Sequence, residues 1–275
     1  MEKRKPHCGL DALKMLLLHE ATRIVTRSGR QGAAKLGYFD DETMVARVLR
    51  LTPREFYKSM TTHANTKIWQ DVYRTKDGDV GIYVNCRNPW TARGLLFHSN
   101  RWMKRLSDMY KQGDACPLCG DGLLCEKVLE EHFSYKGHSL TVPDYCILEC
   151  PACGEAFVDK DSARRAEKLL RDFGRQVDGL LMPVDIKRIR RRLHLTQEQM
   201  ATVLGGGLKS FARYENGQVV QSRAMDNLLR ILDRFPESLD VLPGVPRPQA
   251  VVMRKRSRAV AGMACEADEE YKGKR

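Results

Sequence analysis

The sequence predicts a multi-domain α+β protein: a basic α/β segment, a small cysteine-rich segment and an all-α segment. Three observations predict it. Charge divides into blocks along the chain, four cysteines fall into two paired knuckles, and a helix-start and glycine-turn pattern follows them. At 275 residues with 42% hydrophobic content, the chain is long enough for two domains, or three small ones, each with a core. Its net charge of +12 is unevenly spread. Lys and Arg stand against Asp and Glu as 21 to 12 in residues 1–114, 8 to 12 in 115–182, 10 to 7 in 183–243 and 8 to 4 in 244–275. An acidic block is thus flanked by basic ones, which suits contact with either neighbour and, for the basic blocks, a phosphate backbone.

Residues 1–112 carry no phosphate-loop, metal or triad signature and read as a small basic α/β domain. The longest apolar run, Met15 to Leu18, is far short of a membrane span, and the opening Met-Glu-Lys-Arg-Lys leads into no signal-type apolar stretch. A cytoplasmic chain is expected. In a reducing compartment the cysteines are better read as four ligands plus the ordinary thiols Cys8, Cys86, Cys125, Cys146 and Cys265 than as a disulfide framework.

The four ligands are Cys116, Cys119, Cys150 and Cys153, in the knuckles Cys116-Pro117-Leu118-Cys119-Gly120 and Cys150-Pro151-Ala152-Cys153-Gly154. Proline fixes each tight turn, and glycine lets backbone amides point at thiolate sulfur. Four sulfurs close a tetrahedron with no position left for water or substrate, so one structural zinc per chain is expected within residues 115–160. Between the knuckles, His132 to Tyr135 and Ser139 to Val142 alternate around Lys136-Gly137-His138 as a small hairpin. His132 and His138 are not needed as ligands. A connecting helix over 161–182 follows, with Asp161 as its cap, Ala166, Leu169, Leu170, Phe173 and Val177 at helical spacing, and an end near Gly179.

Residues 183–242 read as a five-helix DNA-binding pattern. Ile186, Ile189 and Leu193 line one face of a first helix whose other face is Lys187, Arg188, Arg190, Arg191 and Arg192. Thr196-Gln197-Glu198-Gln199 is a capping box that starts a second helix, with Met200, Val203 and Leu204 inward. Gly205-Gly206-Gly207 makes the turn. The third helix, Leu208 to Glu215, turns Phe211 and Tyr214 to the core and leaves Lys209 and Arg213 on its outer face. Those two, with Ser210, are the expected contacts in the major groove, and Gln197 the expected phosphate contact. Leu228, Leu229, Ile231 and Leu232 supply a last helix for the core or for a homodimer seam.

With thirty residues between the cysteine pairs, followed by a helix, Leu-Thr-Gln, three glycines and Phe211-Ala212-Arg213-Tyr214-Glu215, residues 115–242 resemble the MqsA family of antitoxins. The resemblance implies a zinc domain that binds a toxin and an XRE/Cro-like helix-turn-helix domain that dimerises on a palindromic operator. Phe56-Tyr57-Lys58-Ser59-Met60-Thr61-Thr62 and Ile68-Trp69-Gln70-Asp71-Val72-Tyr73 in turn resemble the MqsR family of toxins, which implies a RelE-like fold over residues 1–100 and metal-independent endoribonuclease activity on mRNA. By ungapped spacing Lys58, Gln70 and Tyr83 fall on the family's catalytic positions, and His98 stands where its final strand carries the lysine of Ser-Phe-Lys. One choice of synonymous codons for Leu96 to Asn100, read two nucleotides on, spells Ile-Ser-Phe-Lys, which points to a reading-frame slip. The expectation is therefore a toxin-antitoxin fusion that binds operator DNA through its antitoxin half and carries an impaired toxin half, the alternative being an active ribonuclease inhibited by its own fused antitoxin. Residues 101–114 would be a linker and 243–275 a disordered basic tail. A free MqsR- or MqsA-like protein is the further partner implied.

Overall fold

The computed structural model describes residues 1–19, 23–62, 65–87 and 110–244. His98, most of the expected linker and nearly all of the basic tail lie outside the described residues.

The N-terminal half contains β1 (Glu2–Lys3), helices α1 (Leu10–Leu18), α2 (Arg27–Lys35) and α3 (Asp41–Leu49), and strands β2 (Phe56–Thr61), β3 (Trp69–Asp77) and β4 (Val80–Cys86). The strands form an antiparallel sheet in the order β1-β2-β3-β4. Asp40 starts α3 by accepting from the Thr43 N–H at 2.8 Å. One sheet face carries Tyr73, Val84 and Cys86 onto Leu13, Val48 and Leu51 of the helical layer. Asp71, buried in β3, accepts the N–H groups of His7 and Cys8 at 2.8 Å each and the Ser59 hydroxyl, which fastens the segment leading into α1 across the sheet.

The cysteine-rich segment contains β5 (Cys125–Tyr135), β6 (His138–Glu149) and β7 (Ala156–Val158), ordered β5-β6-β7, then α4 (Lys160–Asp178). Lys136 and Gly137 both have positive φ, 47° and 81°, the geometry of a two-residue hairpin turn matched to strand twist. The cap of α4 is Asp159, two residues before the expected Asp161, because its carboxylate reaches the N–H groups of Asp161 and Ser162 at 3.1 Å each. Gly179, at φ 62°, ends the helix where expected.

The C-terminal segment has four α-helices, α5 (Pro183–Arg192), α6 (Gln197–Leu204), α7 (Ser210–Glu215) and α8 (Arg223–Arg234), with a short 3-10 turn over Pro236–Val241 in place of a fifth. Ile186, Ile189, Met200, Phe211, Leu229 and Leu232 form its core. Helix α7 starts two residues later than expected, since Gly205, Gly206 and Gly207 all take positive φ, at 82°, 100° and 86°, and carry the turn as far as Lys209. Of the residues expected for the core or a homodimer seam, Leu229 and Leu232 are buried and Ile231 faces outward at 49% exposure.

The acidic middle block lies on the N-terminal half, and the two share one core. Ala34 and Phe39 are buried together with Phe133, Tyr145, Ile147, Ala166 and Leu170. The Phe39 ring stands edge-on to Tyr135, with centroids 5.0 Å apart. It fills a notch over Gly174 of α4 so closely that a Cβ there would lie 2.1 Å from a ring carbon. Charge pairs frame this core: Arg27 with buried Glu131 at 2.5 Å, Arg30 with Asp41 at 2.8 Å and with Glu167 at 3.3 Å, and Arg171 with Asp40 at 3.3 Å. Helix α2 holds two glycines and a serine, a poor intrinsic helix former, so much of its stability must come from this packing against β5.

Candidate metal centre and nucleic-acid faces

The two knuckles bring four sulfurs together, all within 4.8 Å of one another. Cys116 and Cys153 are 3.7 Å apart and Cys119 and Cys150 3.6 Å. A disulfide would need ~2.05 Å. A tetrahedron with metal–sulfur bonds of ~2.3 Å has edges of about 3.8 Å, so the observed spacing fits a four-thiolate metal site. The backbone is folded for it. The N–H groups of Leu118 and Cys119 point at the Cys116 sulfur, those of Asp121 and Gly122 at Cys119, and that of Glu155 at Cys153. Gly122 passes so close that a Cβ would sit 2.5 Å from the Cys150 sulfur. Burial pushes the Cys116 thiol up; burial acts on Cys119 too, but hydrogen bonds from Asp121 and Gly122 outweigh it and draw that thiol down, and a bound cation would hold all four as thiolates. Among the described residues the four cysteines form the one such cluster, and His132 instead meets Thr141 at 3.0 Å.

Lys58, Gln70 and Tyr83 fall on three neighbouring strands. The register pairs Lys58 with Val72, Met60 with Gln70 and Arg74 with Tyr83. Side chains alternate along a strand, so all three lie on the sheet face opposite the helical layer. Lys58 is paired with Glu2, Tyr83 is 63% exposed, and Gln70 is buried with its carbonyl oxygen accepting from Arg87 at 3.1 and 3.2 Å. The same face carries a cation the sequence reading missed: the Arg74 guanidinium lies 3.3 Å from the Tyr57 ring centre and 5.2 Å from that of Tyr83. Its signal was present, since Arg74 follows Gln70 by four residues and therefore shares its face.

In the C-terminal segment the capping box forms as expected, with Thr196 Oγ1 accepting from the Gln199 N–H at 3.1 Å and Gln199 Oε1 accepting from the Thr196 N–H at 2.8 Å. Gln197 donates to Glu215 at 2.8 Å, and Glu215 in turn pairs with Arg190 at 2.5 Å. Burial raises the Glu215 carboxyl, but these hydrogen bonds outweigh it and hold the group below its usual value. Lys209 is exposed at the start of α7, and the Ser210 hydroxyl is buried beside it without a hydrogen-bond partner among the described residues. Arg213 is 43% exposed and pairs with Glu42 of α3 at 3.0 Å.

Fold and sites define a basic α/β unit joined to a cysteine-clustered segment and a helical one. The comparisons give both halves a family. Residues 5–89 match the model of the motility quorum-sensing regulator, toxin of MqsA, and residues 114–242 match that of the antitoxin component of bacterial toxin-antitoxin system, MqsA. The mRNA interferase toxin MqsR of Escherichia coli (strain K12) is 43% identical over 76 residues, covering 28% of this chain and 76% of that protein. Antitoxin MqsA of the same organism is 28% identical over 126 residues, covering 46% of this chain and 96% of that protein. The chain belongs to the MqsR toxin family through residues 5–89, and the match of residues 114–242 to the MqsA antitoxin model makes it consistent with a toxin-antitoxin fusion. No helix among the described residues is long and apolar enough to cross a membrane.

Proposed function

We propose that the fusion is an operator-binding autoregulator whose antitoxin half docks on its own toxin half. The observation that carries this reading is the MqsA-matched region itself: capping box, glycine turn and short third helix, with Lys209 and Arg213 one turn apart at its accessible edge. This arrangement supports a helix-turn-helix of XRE/Cro type, in which α7 would enter the major groove. Arg213 reads guanine bidentately, exposed Lys209 flanks it, and Gln197 holds a phosphate, whereas Ser210, expected beside them, has its hydroxyl buried. The Arg213–Glu42 pair is no obstacle, because an exposed pair is worth ~0.2–1 kcal/mol and a bidentate base contact ~1–3 kcal/mol. Exposed Ile231, Phe235 and Val241 supply an apolar seam for a homodimer. Zinc is the metal that suits four thiolates in a closed tetrahedron; it would be held by Cys116, Cys119, Cys150 and Cys153 and would stabilise the fold without entering chemistry.

The toxin half retains an RNA-facing surface of the ribonuclease kind. There the RNA 2′-hydroxyl attacks the neighbouring phosphate, Lys58 stabilises developing charge, Gln70 orients the phosphate and Tyr83 moves a proton. His98 replaces the family lysine, which impairs the site. The second reading, a competent ribonuclease held shut in cis, is favoured by the shared core and by the pairing of Lys58 and Gln70 within the chain. The test is a gel shift of the full chain on DNA upstream of its own gene against random DNA at fixed salt, with RNA cleavage measured in parallel. Selective retention of the upstream DNA without RNA cleavage supports the first reading; cleavage that appears only on disrupting the Phe39–Gly174 contact supports the second.

A further inference from the structure

Two residues that no part of the antitoxin reading uses connect the second cysteine knuckle to the toxin sheet. Arg87 lies just beyond β4, and its guanidinium spans two partners. Its Nε and Nη2 donate to the Gln70 side-chain oxygen at 3.2 and 3.1 Å, while Nη1 pairs with the carboxylate of Glu155. Arg87 and Glu155 are only 20% and 17% exposed, so the pair is less screened than a surface pair.

Glu155 belongs to the knuckle by its backbone on both sides. Its carbonyl accepts from the Cys150 N–H at 2.8 Å, and its own N–H points at the Cys153 sulfur. The turn that holds the sulfurs in place therefore also aims the Glu155 carboxylate. A second contact runs alongside it. Ile68, two residues before Gln70, is buried in one apolar cluster with Cys116, Cys150 and Cys153.

We propose that the second knuckle is a latch on the toxin half: Glu155 holds Arg87, Arg87 holds Gln70, and the metal-supported turn thereby controls a cation and an amide on the RNA-facing sheet. The proposal rests on the reading of Gln70 as part of that face. While the latch is closed, the Arg87 charge is neutralised by Glu155 and the Gln70 oxygen is occupied. Loss of the metal, or of the carboxylate alone, frees a guanidinium beside Gln70, and a guanidinium is the side chain best suited to pair with RNA phosphate.

The test uses the full chain, as wild type, wild type treated with chelator, Glu155→Gln and Arg87→Lys. Solvent exchange of the Arg87 Nε–H is followed by NMR, metal content is measured on each sample, and affinity for a short single-stranded RNA oligonucleotide is read by fluorescence anisotropy. In wild type the Nε–H should be protected. In Glu155→Gln the protection should fall with metal content unchanged, and RNA affinity should rise about tenfold, the scale of one charge-assisted contact. Chelated wild type should follow it, and Arg87→Lys, which cannot bridge both partners, should bind RNA no tighter after chelation than before. Protection that survives Glu155→Gln overturns the latch. Protection lost with no RNA binding in any form overturns instead the reading of this sheet face as RNA-facing.

Discussion

Replacing Gly174 by alanine reverses an ordinary rule of helix stability. In an exposed helix interior, Gly→Ala gains ~0.8–1.0 kcal/mol. Gly174 lies within α4, but an added Cβ would meet the Phe39 ring at 2.1 Å, roughly 1.4 Å inside ordinary carbon–carbon contact. Either the ring leaves its notch or α4 moves off the toxin half, and overpacking of this kind costs ~1–3 kcal/mol. A gap of that size belongs at the upper end, so Gly174→Ala should destabilise the docked pair by a net ~2 kcal/mol. The control sharpens the sign. Phe39→Ala alone should cost ~3–5 kcal/mol, and in that background Gly174→Ala should become stabilising by ~1 kcal/mol. Urea unfolding of the four chains, compared through midpoints at constant slope, closes the double-mutant cycle. A Gly174→Ala chain more stable than wild type, or one whose effect keeps its sign in the Phe39→Ala background, would refute the docking of the two halves through this notch.

Arg27→Ala should cost ~1–3 kcal/mol, because it strips the main partner from Glu131, 1% exposed, while leaving Gln31 at 2.7 Å; the same unfolding assay reads it. Chelation, or Cys116→Ser, should remove the bound metal and loosen residues 115–160, seen as new proteolytic cuts there; an unchanged digestion pattern would contradict a structural site. Acid should weaken the helical bundle through Asp226. Burial raises this carboxyl, but bonds from Arg230, the Leu181 N–H and Gln221 outweigh it and hold it below its usual 3.8. A depressed folded pKa gives stability that is present above the unfolded value and lost as pH falls below it. Asp226→Asn should therefore flatten the pH dependence below about pH 4, and a melting profile as steep as wild type's would count against the network.

What the sequence made legible follows from how local the constraint is. The four-cysteine cluster could be read because a thiolate site demands the Cys-x2-Cys spacing, and the hairpin turn because Lys136-Gly137 must take positive φ within two residues. The start of α7 was misplaced because three consecutive glycines carry no periodic signal to show where the turn stops. Whether Ile231 serves the core or an outer seam was left open by the sequence because an apolar residue beside Leu229 and Leu232 has no fixed side until the helix is placed on its core. The contacts between the halves were beyond reach for a different reason. Phe39 and Gly174, or Arg87 and Glu155, stand far apart in sequence, and nothing in the local pattern of either member announces the other. Charge blocks showed that the acidic segment would seek a basic one, but only the packing of Phe39 chose the N-terminal half.

Operator reading by the antitoxin half of a docked fusion is tested most directly by hydroxyl-radical footprinting of the full chain on its own upstream DNA. Two protected half-sites should appear about one helical turn (~10 bp) or a multiple of it apart, with Arg213→Ala erasing the preference over random DNA at fixed salt. Uniform protection without half-sites, or a footprint that Arg213→Ala leaves unchanged, would contradict it.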